Sequence, residues 1–277
     1  MTVIALASAK GSPGVTTTTL ALAATWPGRV LLVEADPAGG DVLAGYGRGG
    51  LPAGPGLLEL ATAARRDLTG DDMLAHSIAL DADARLRLVA GTSGPGPLAT
   101  ITPALPAIAA ALRDFAAGPD GWDVLVDVGR LDATAVPWPL LAGCDLLVLA
   151  ARPGLRQVRH LRVHLPAIRE HLNGEGAGPE LGLLLVGDTP YGAAEVAGAV
   201  GLPVLAVLAD DPAAAAVLSE GTAPHRGFAR SPLLRSARHA GHLLHASATT
   251  QVPTVAVVPA EVDVTAGLRP AVQGSPR

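Results

Sequence analysis

The apolar residues of this chain fall into short, uninterrupted runs that are separated by amphipathic stretches. Runs that are apolar at every position, rather than at alternate positions, are typical of parallel strands buried on both faces. The runs predict seven strands, at Val3–Ala7, Val30–Val33, Leu86–Val89, Val124–Val128, Leu146–Ala150, Leu181–Val186 and Val204–Leu208.

The segments between these strands show helical spacing of their apolar residues. They predict helices at Thr16–Thr25, Leu57–Arg65, Ala104–Ala116, Leu155–His171, Ala193–Ala199, Pro212–Leu218 and Pro232–Ala246. Strands that alternate with helices form a mostly parallel sheet with helices on both faces. The fold class expected from the pattern is therefore α/β, with three layers and a mostly parallel central sheet.

The chain of 277 residues has no break in composition before residue 247, so residues 1–246 are expected to form one domain. Residues 247–277 carry four prolines and predict a flexible tail, with one added strand at Val255–Val258 as an option. The glycine-rich stretch Gly39–Gly56 is longer than a plain connection needs, and loops of that kind usually carry function.

Composition excludes several classes of protein. The single cysteine, Cys144, excludes an internal disulfide and a four-thiolate zinc site, and it favours a cytoplasmic location. Only 3% of the residues are aromatic, too few for a surface on which nucleic-acid bases stack. The net charge of −5 argues against an overall basic protein, and no apolar run is expected to span a membrane.

Candidate chemistry begins at the turn after the first predicted strand. Of the 20 basic residues all but one are arginine, and the single lysine, Lys10, stands in this turn. A glycine-rich turn that enters a helix directs backbone N–H groups and the positive end of the helix dipole at one point, which suits a phosphate. The Thr16 hydroxyl stands where it could bind Mg²⁺.

The segment from Ala9 to Thr17 resembles the deviant Walker A motif, KGGxGK[ST]T, of the ParA/MinD family. Members of that family are dimeric P-loop ATPases that position chromosomes, plasmids, division sites and pili. The resemblance implies that Lys10 is a catalytic residue that reaches the nucleotide of the partner subunit. It also implies a phosphate-binding loop made of Gly11, Ser12, Pro13, Gly14, Val15, Thr16 and Thr17.

Two positions of the loop depart from the motif: Ser12 replaces a glycine, and Val15 replaces the Walker lysine. A charged hydrogen bond to phosphate contributes roughly 1.5–3 kcal/mol, and valine provides none. We therefore expect weak binding of ATP with Mg²⁺. Hydrolysis should be impaired further, because phosphoryl transfer depends on electrostatic stabilisation of the transferred group.

Two later segments also resemble the family. Glu34-Ala35-Asp36-Pro37 is similar to its DxDP segment, which implies that Asp36 orients the attacking water and that Glu34 holds a water bound to Mg²⁺. The run from Trp122 to Gly129 resembles the Walker B strand, so Asp127 is implied as a third Mg²⁺-binding residue beside Thr16 and Glu34.

The resemblance further implies a nucleotide-dependent homodimer and a cargo or adaptor protein as partners. Nonspecific DNA binding through arginine-rich helices is an option, although solvated helix faces explain the same pattern. The residues concerned are Arg152, Arg156, Arg159, Arg162, Arg169, Arg226, Arg230, Arg235 and Arg238.

Three functions remain open from the sequence. The first is a ParA/MinD-like ATPase of impaired activity in intracellular positioning. The second is a non-hydrolysing scaffold of the same fold, similar to the degenerate CpaE/TadZ branch that serves pilus assembly. The third and weakest is a Rossmann-type dinucleotide binder in which Glu34 would bind a ribose.

Overall fold

The computed structural model describes residues 1–10, 14–51, 54–131, 135–173 and 178–249. These residues form a single sheet of eight strands in the order β3-β4-β2-β5-β1-β6-β7-β8. All neighbouring strands are parallel except β3, which runs antiparallel to β4 at the sheet edge. The strands are β1 Val3–Ser8, β2 Arg29–Glu34, β3 Ile78–Ala79, β4 Leu86–Val89, β5 Trp122–Arg130, β6 Leu146–Ala151, β7 Glu180–Val186 and β8 Val204–Leu208.

The mostly parallel α/β sheet that the pattern predicts is confirmed. Each of the seven predicted strands is present, within two residues at either end. The added strand, β3, is only two residues long, and a pair of residues carries no period that sequence analysis could detect.

Ten α-helices are found in the described residues. They are α1 Val15–Ala24, α2 Leu57–Ala63, α3 Gly70–Ala75, α4 Pro95–Ile101, α5 Leu105–Ala117, α6 Trp138–Ala142, α7 Leu155–Leu172, α8 Ala193–Val200, α9 Pro212–Ser219 and α10 Pro232–Thr249. The apolar spacing did not predict α3, α4 and α6, which are one or two turns long and begin with glycine, proline or tryptophan. For α3 the local signal is a capping box, in which the Thr69 hydroxyl accepts the backbone N–H of Asp72.

The helices form a layer on each face of the sheet. Alternate residues of the central strand β1 enter opposite layers, since Val3 and Ala5 pack with α5 and α7 while Ile4 and Leu6 pack with α1 and α10. Because both faces are covered, the strands are apolar at every position, as the sequence pattern requires.

The domain boundary expected at residue 246 falls within α10, which continues to Thr249. The predicted tail beyond that residue, including the optional strand at Val255–Val258, lies outside the described residues. The stretch Pro95–Ala117 is 23 residues long with a mean hydropathy of 1.3, so by length and composition it could cross a membrane, which the sequence analysis did not anticipate. In this fold Leu105, Ile108 and Leu112 of this stretch are buried in the core.

Candidate functional site

The turn between β1 and α1 lies at the carboxyl edge of the sheet, as the motif predicts. The first N–H groups of an α-helix have no partner within the helix. At the start of α1, Gly14 provides no capping side chain and the first turn contains no acidic residue. Gly14 has φ +84°, a left-handed conformation that glycine adopts without strain. The start of α1 can therefore accept an anion. Lys10 is exposed at the end of the preceding strand, while Gly11, Ser12 and Pro13 lie outside the described residues.

Val15, which replaces the Walker lysine, points its side chain into the core rather than toward solvent. It is 6% exposed and packs in the layer that contains Leu20 and Leu22. Only its backbone can therefore take part in binding a phosphate. The two residues that follow, Thr16 and Thr17, line an open pocket above the helix.

Asp127 lies at the centre of the site, near the end of β5 between β1 and β2. It pairs in register with Leu6 on one side and with Glu34 on the other. Its carboxylate accepts the Thr16 hydroxyl and the N–H of Gly129, the latter at 3.1 Å. Burial raises the pKa of Asp127 to about 7, and the negative charge of Glu34 adds to the increase. The hydrogen bond from Thr16 acts in the opposite direction and lowers the pKa.

Glu34 is also buried, but its carboxylate is already fully engaged with backbone groups. Oε1 accepts the N–H groups of Asp41 and Val42, each at 2.9 Å, and Oε2 accepts the N–H of Gly91 at 3.1 Å. Burial raises its pKa, and these three amides lower it. The carboxylate is 1% exposed and already accepts three amides, so the geometry gives no support to the dinucleotide interpretation, in which Glu34 would bind a ribose.

Asp36 lies two residues further on and meets the end of β5. Its Oδ1 accepts the N–H of Ala38 at 2.7 Å, and its carboxylate lies against Gly129, where a Cβ would overlap it. Burial raises its pKa, whereas the Ala38 amide and the positive charge of Arg130 lower it. The structure thus brings Asp36 and Asp127 to the same edge of the sheet as Lys10 and the start of α1.

Residues that the sequence analysis missed complete the site. An open pocket of about 420 Å³ is lined by Thr16 and Thr17 on one side, by Asp41, Val42, Ala44 and Gly45 of the loop after β2, and by Leu218, Ser219 and Glu220 at the end of α9. Arg130 adds a cation at this edge of the sheet, because it pairs in register with Ser8 at the end of β1. The sequence signal that could have indicated Arg130 is its position directly after Asp127-Val128-Gly129 in β5.

The donor set suits Mg²⁺ only in part. Hydroxyl and carboxylate oxygens are ligands that Mg²⁺ prefers, and Thr16 and Asp127 present such oxygens in contact with each other. Within the described residues no three His, Cys, Asp or Glu side chains are arranged to hold a metal. A Mg²⁺ ion here would need nucleotide phosphates and water for its remaining ligands.

The predicted arginine-rich surfaces are exposed. The arginines of α7 form a solvent-facing stripe, made of Arg156, Arg159, Arg162 and Arg169. A shorter stripe on α10 is made of Arg235 and Arg238. Arg152 is different, because it makes a bidentate ion pair with Asp210 at 2.5 and 3.1 Å across the end of β7. Its charge is therefore already paired within the chain.

Comparison with solved structures places this geometry among known folds. A ParA family ATPase from Chlorobium tepidum matches with a TM-score of 0.66 and 18% identity, over 88% of this chain and 99% of that one. MinD from Pyrococcus horikoshii, in complex with Mg-ADP, matches with a TM-score of 0.64 and 16% identity, over 91% and 99%. MinD from Aquifex aeolicus, in a MinC:MinD cell division complex, matches with 0.64 and 12% identity, over 91% and 98%.

The chain has the ParA/MinD fold. No family model matches its sequence, and the search of curated proteins gives no match. At identities of 12–18% the solved structures show the fold alone. The resemblance that the sequence motifs indicate is confirmed at that level, and the roles of individual residues depend on the geometry described above.

Proposed function

We propose that this chain is a cytoplasmic nucleotide-binding protein of the ParA/MinD type, with impaired ATPase activity, that acts in intracellular positioning. The observation that carries the proposal is the contact between the Thr16 hydroxyl and the Asp127 carboxylate at the open start of α1, with Asp36 beside them. A hydroxyl, a carboxylate and an uncapped helix start are together the elements needed to bind a nucleotide with Mg²⁺.

In this proposal each residue has a defined role. The N–H groups at the start of α1 would bind the phosphates, and Thr16 and Asp127 would hold Mg²⁺. Mg²⁺ would neutralise charge on the phosphates. Asp36 accepts a proton from the attacking water and orients it, and Lys10 stabilises the transferred phosphoryl group from the partner subunit. Glu34 was also expected to bind Mg²⁺, but its hydrogen bonds with three amides support another role, described below.

Impaired activity follows from the position of Val15. Because its side chain is buried in the core, no cation replaces the Walker lysine at that position of the loop. The charge of Arg130 acts on Asp36, and Arg130 ends β5 rather than standing in the turn before α1, so we do not expect it to replace the Walker lysine. Substrate binding through amides is retained, while the stabilisation of the transition state is reduced.

The substitution Val15→Lys tests this explanation. We expect ATP to bind at least about tenfold more tightly in the presence of Mg²⁺, since one charged contact is restored. Isothermal titration calorimetry measures the change. Val15→Met is the matched control, because the methionine side chain is about as long as that of lysine and carries no charge. Equal affinity of the lysine and methionine variants would contradict the proposal.

The role proposed for Lys10 in the partner subunit requires a homodimer that forms when nucleotide binds. Lys10→Ala should lower Mg-ATP-dependent dimerisation at least about tenfold, because the loss of one charge-assisted contact is of that size. Sedimentation velocity with and without Mg-ATP measures dimerisation, with Arg113→Ala on the exposed side of α5 as the control. If wild-type protein does not dimerise with Mg-ATP, the scaffold interpretation replaces the ATPase.

The scaffold function is the second candidate, and the buried Val15 favours it. A scaffold needs the fold and an interaction surface but no hydrolysis. In either case we propose a cargo or adaptor protein as partner, and the exposed arginines of α7 and α10 support nonspecific DNA as another. Turnover of ATP by wild type, abolished in Asp36→Asn, would decide in favour of the ATPase.

A further inference from the structure

The glycine-rich loop after β2 is fastened to the rest of the site by one side chain. Glu34, at the end of β2, is 1% exposed. Its carboxylate accepts two N–H groups from this loop, those of Asp41 and Val42, and one from Gly91 in the turn after β4. A single buried carboxylate thus joins segments that are separated by up to 57 positions in the chain.

The backbone around Glu34 is shaped to admit this carboxylate. A Cβ on Gly40 would lie 2.8 Å from Glu34 Oε2 and 3.0 Å from Gly91 Cα, and a Cβ on Gly91 would lie 3.0 Å from Glu34 Cβ. Both positions therefore need glycine for close approach of the backbone. The N–H of Gly40 also donates to the carbonyl of Thr92 at 2.8 Å, which ties the same two segments together.

The loop held in this way forms one wall of the 420 Å³ pocket. Asp41, Val42, Ala44 and Gly45 line that wall, opposite Thr16 and Thr17. Two of the four wall residues are those whose N–H groups Glu34 accepts. The position of the wall therefore depends on the Glu34 carboxylate, which itself does not line the pocket.

We propose that Glu34 is a positioning residue, which latches the loop after β2 to the turn after β4 and so fixes the pocket wall that carries Asp41. Its role is exerted through these backbone groups rather than through a bound metal ion. The wall is consequently formed before any ligand binds. This inference goes beyond the proposed function and holds whether or not the protein hydrolyses ATP.

Hydrogen exchange of single amides, measured by NMR without nucleotide or Mg²⁺, tests the latch. In wild type the amides of Asp41, Val42 and Gly91 should exchange at least about tenfold more slowly than in an unfolded chain. Addition of Mg²⁺ alone should not change these rates. Unprotected amides in wild type, or loss of their protection when Mg²⁺ is added, would overturn the proposal.

Two variants separate the carboxylate from the bulk of the side chain. Glu34→Gln places an NH₂ group against backbone donors, so at least one of the three amides should exchange about tenfold faster or more. The matched control is Glu195→Gln, since Glu195 also accepts a backbone N–H, that of Gly192 at 2.8 Å, at the start of α8. Unchanged exchange at all three amides in Glu34→Gln would overturn the latch.

Chemical rescue provides a readout that a general loss of packing would not give. In Glu34→Ala all three amides should lose protection, and formate, a small carboxylate, should restore it. Formamide has nearly the same size without the charge and should not. Equal effects of formate and formamide, including no effect of either, would show that the carboxylate does not hold the loop. Because no nucleotide is used, failure here is separate from failure of the proposed function.

Discussion

The substitution Gly129→Ala is expected to destabilise the protein by about 3–5 kcal/mol, from steric overlap together with backbone strain. Gly129 has φ +64°, which is unfavourable for alanine, and a Cβ there would occupy the position of the Asp36 carboxylate. Asp36 is itself held by the Ala38 amide, so it cannot move away without the loss of that bond. Urea denaturation followed by circular dichroism measures the change in the free energy of unfolding.

The control for backbone strain is Gly201→Ala at the end of α8. Gly201 has φ +76°, yet among the described residues no atom beyond its own chain neighbours and helix backbone lies within 4 Å of a Cβ placed there. The Gly201→Ala variant should therefore lose only about 1 kcal/mol of its free energy of unfolding. In the double variant Asp36→Ala and Gly129→Ala the overlap is removed, so the two effects should be far from additive. Equal losses at Gly129 and Gly201 would contradict the close packing of Asp36 against β5.

Wild-type stability without ligand is expected to fall as the pH rises from 5 to 8, through the buried Asp127. Its pKa in the folded protein is about 7, above the ordinary aspartate value of 3.8. A raised pKa means that the folded state binds the proton more tightly than the unfolded state. Its contribution to stability is therefore complete below pH 4 and is lost as the pH rises through 7. The expected loss between pH 5 and 8 is on the order of 2–3 kcal/mol.

Asp127→Asn should remove most of this dependence, because asparagine does not ionise, and should make the protein more stable at pH 8. Urea denaturation at several pH values measures the free energy of unfolding of both proteins. Asp83→Asn, at an exposed turn, is the control and should leave the slope unchanged. The pKa values of Glu34 and Asp36 are also raised, so a weak slope of the same sign should remain. A wild-type stability that rises between pH 5 and 8 would contradict the raised pKa of the buried Asp127 carboxylate.

Local patterns in the sequence determined the layered α/β fold and the edge at which the site lies. Continuous apolar runs indicate strands buried on both faces, and the carboxyl ends of parallel strands meet at one edge. That rule is sufficient to place Asp36 and Asp127 beside the turn that contains Gly14. Short elements such as β3 and α6 were not predicted, since a few residues show no measurable periodicity of apolar positions.

Only the tertiary structure decided what the individual side chains of the site do. Glu34 lies two residues before Asp36 in a motif that implies Mg²⁺ binding, yet amides from distant segments occupy its oxygens. Val15 stands in a segment whose motif implies a phosphate loop, yet its side chain is buried among core residues. Both outcomes depend on contacts between residues far apart in the chain, such as Glu34 with Gly91. A motif records residue types and their spacing, whereas the direction of a side chain and its hydrogen-bond partners are set by the packing of the whole fold.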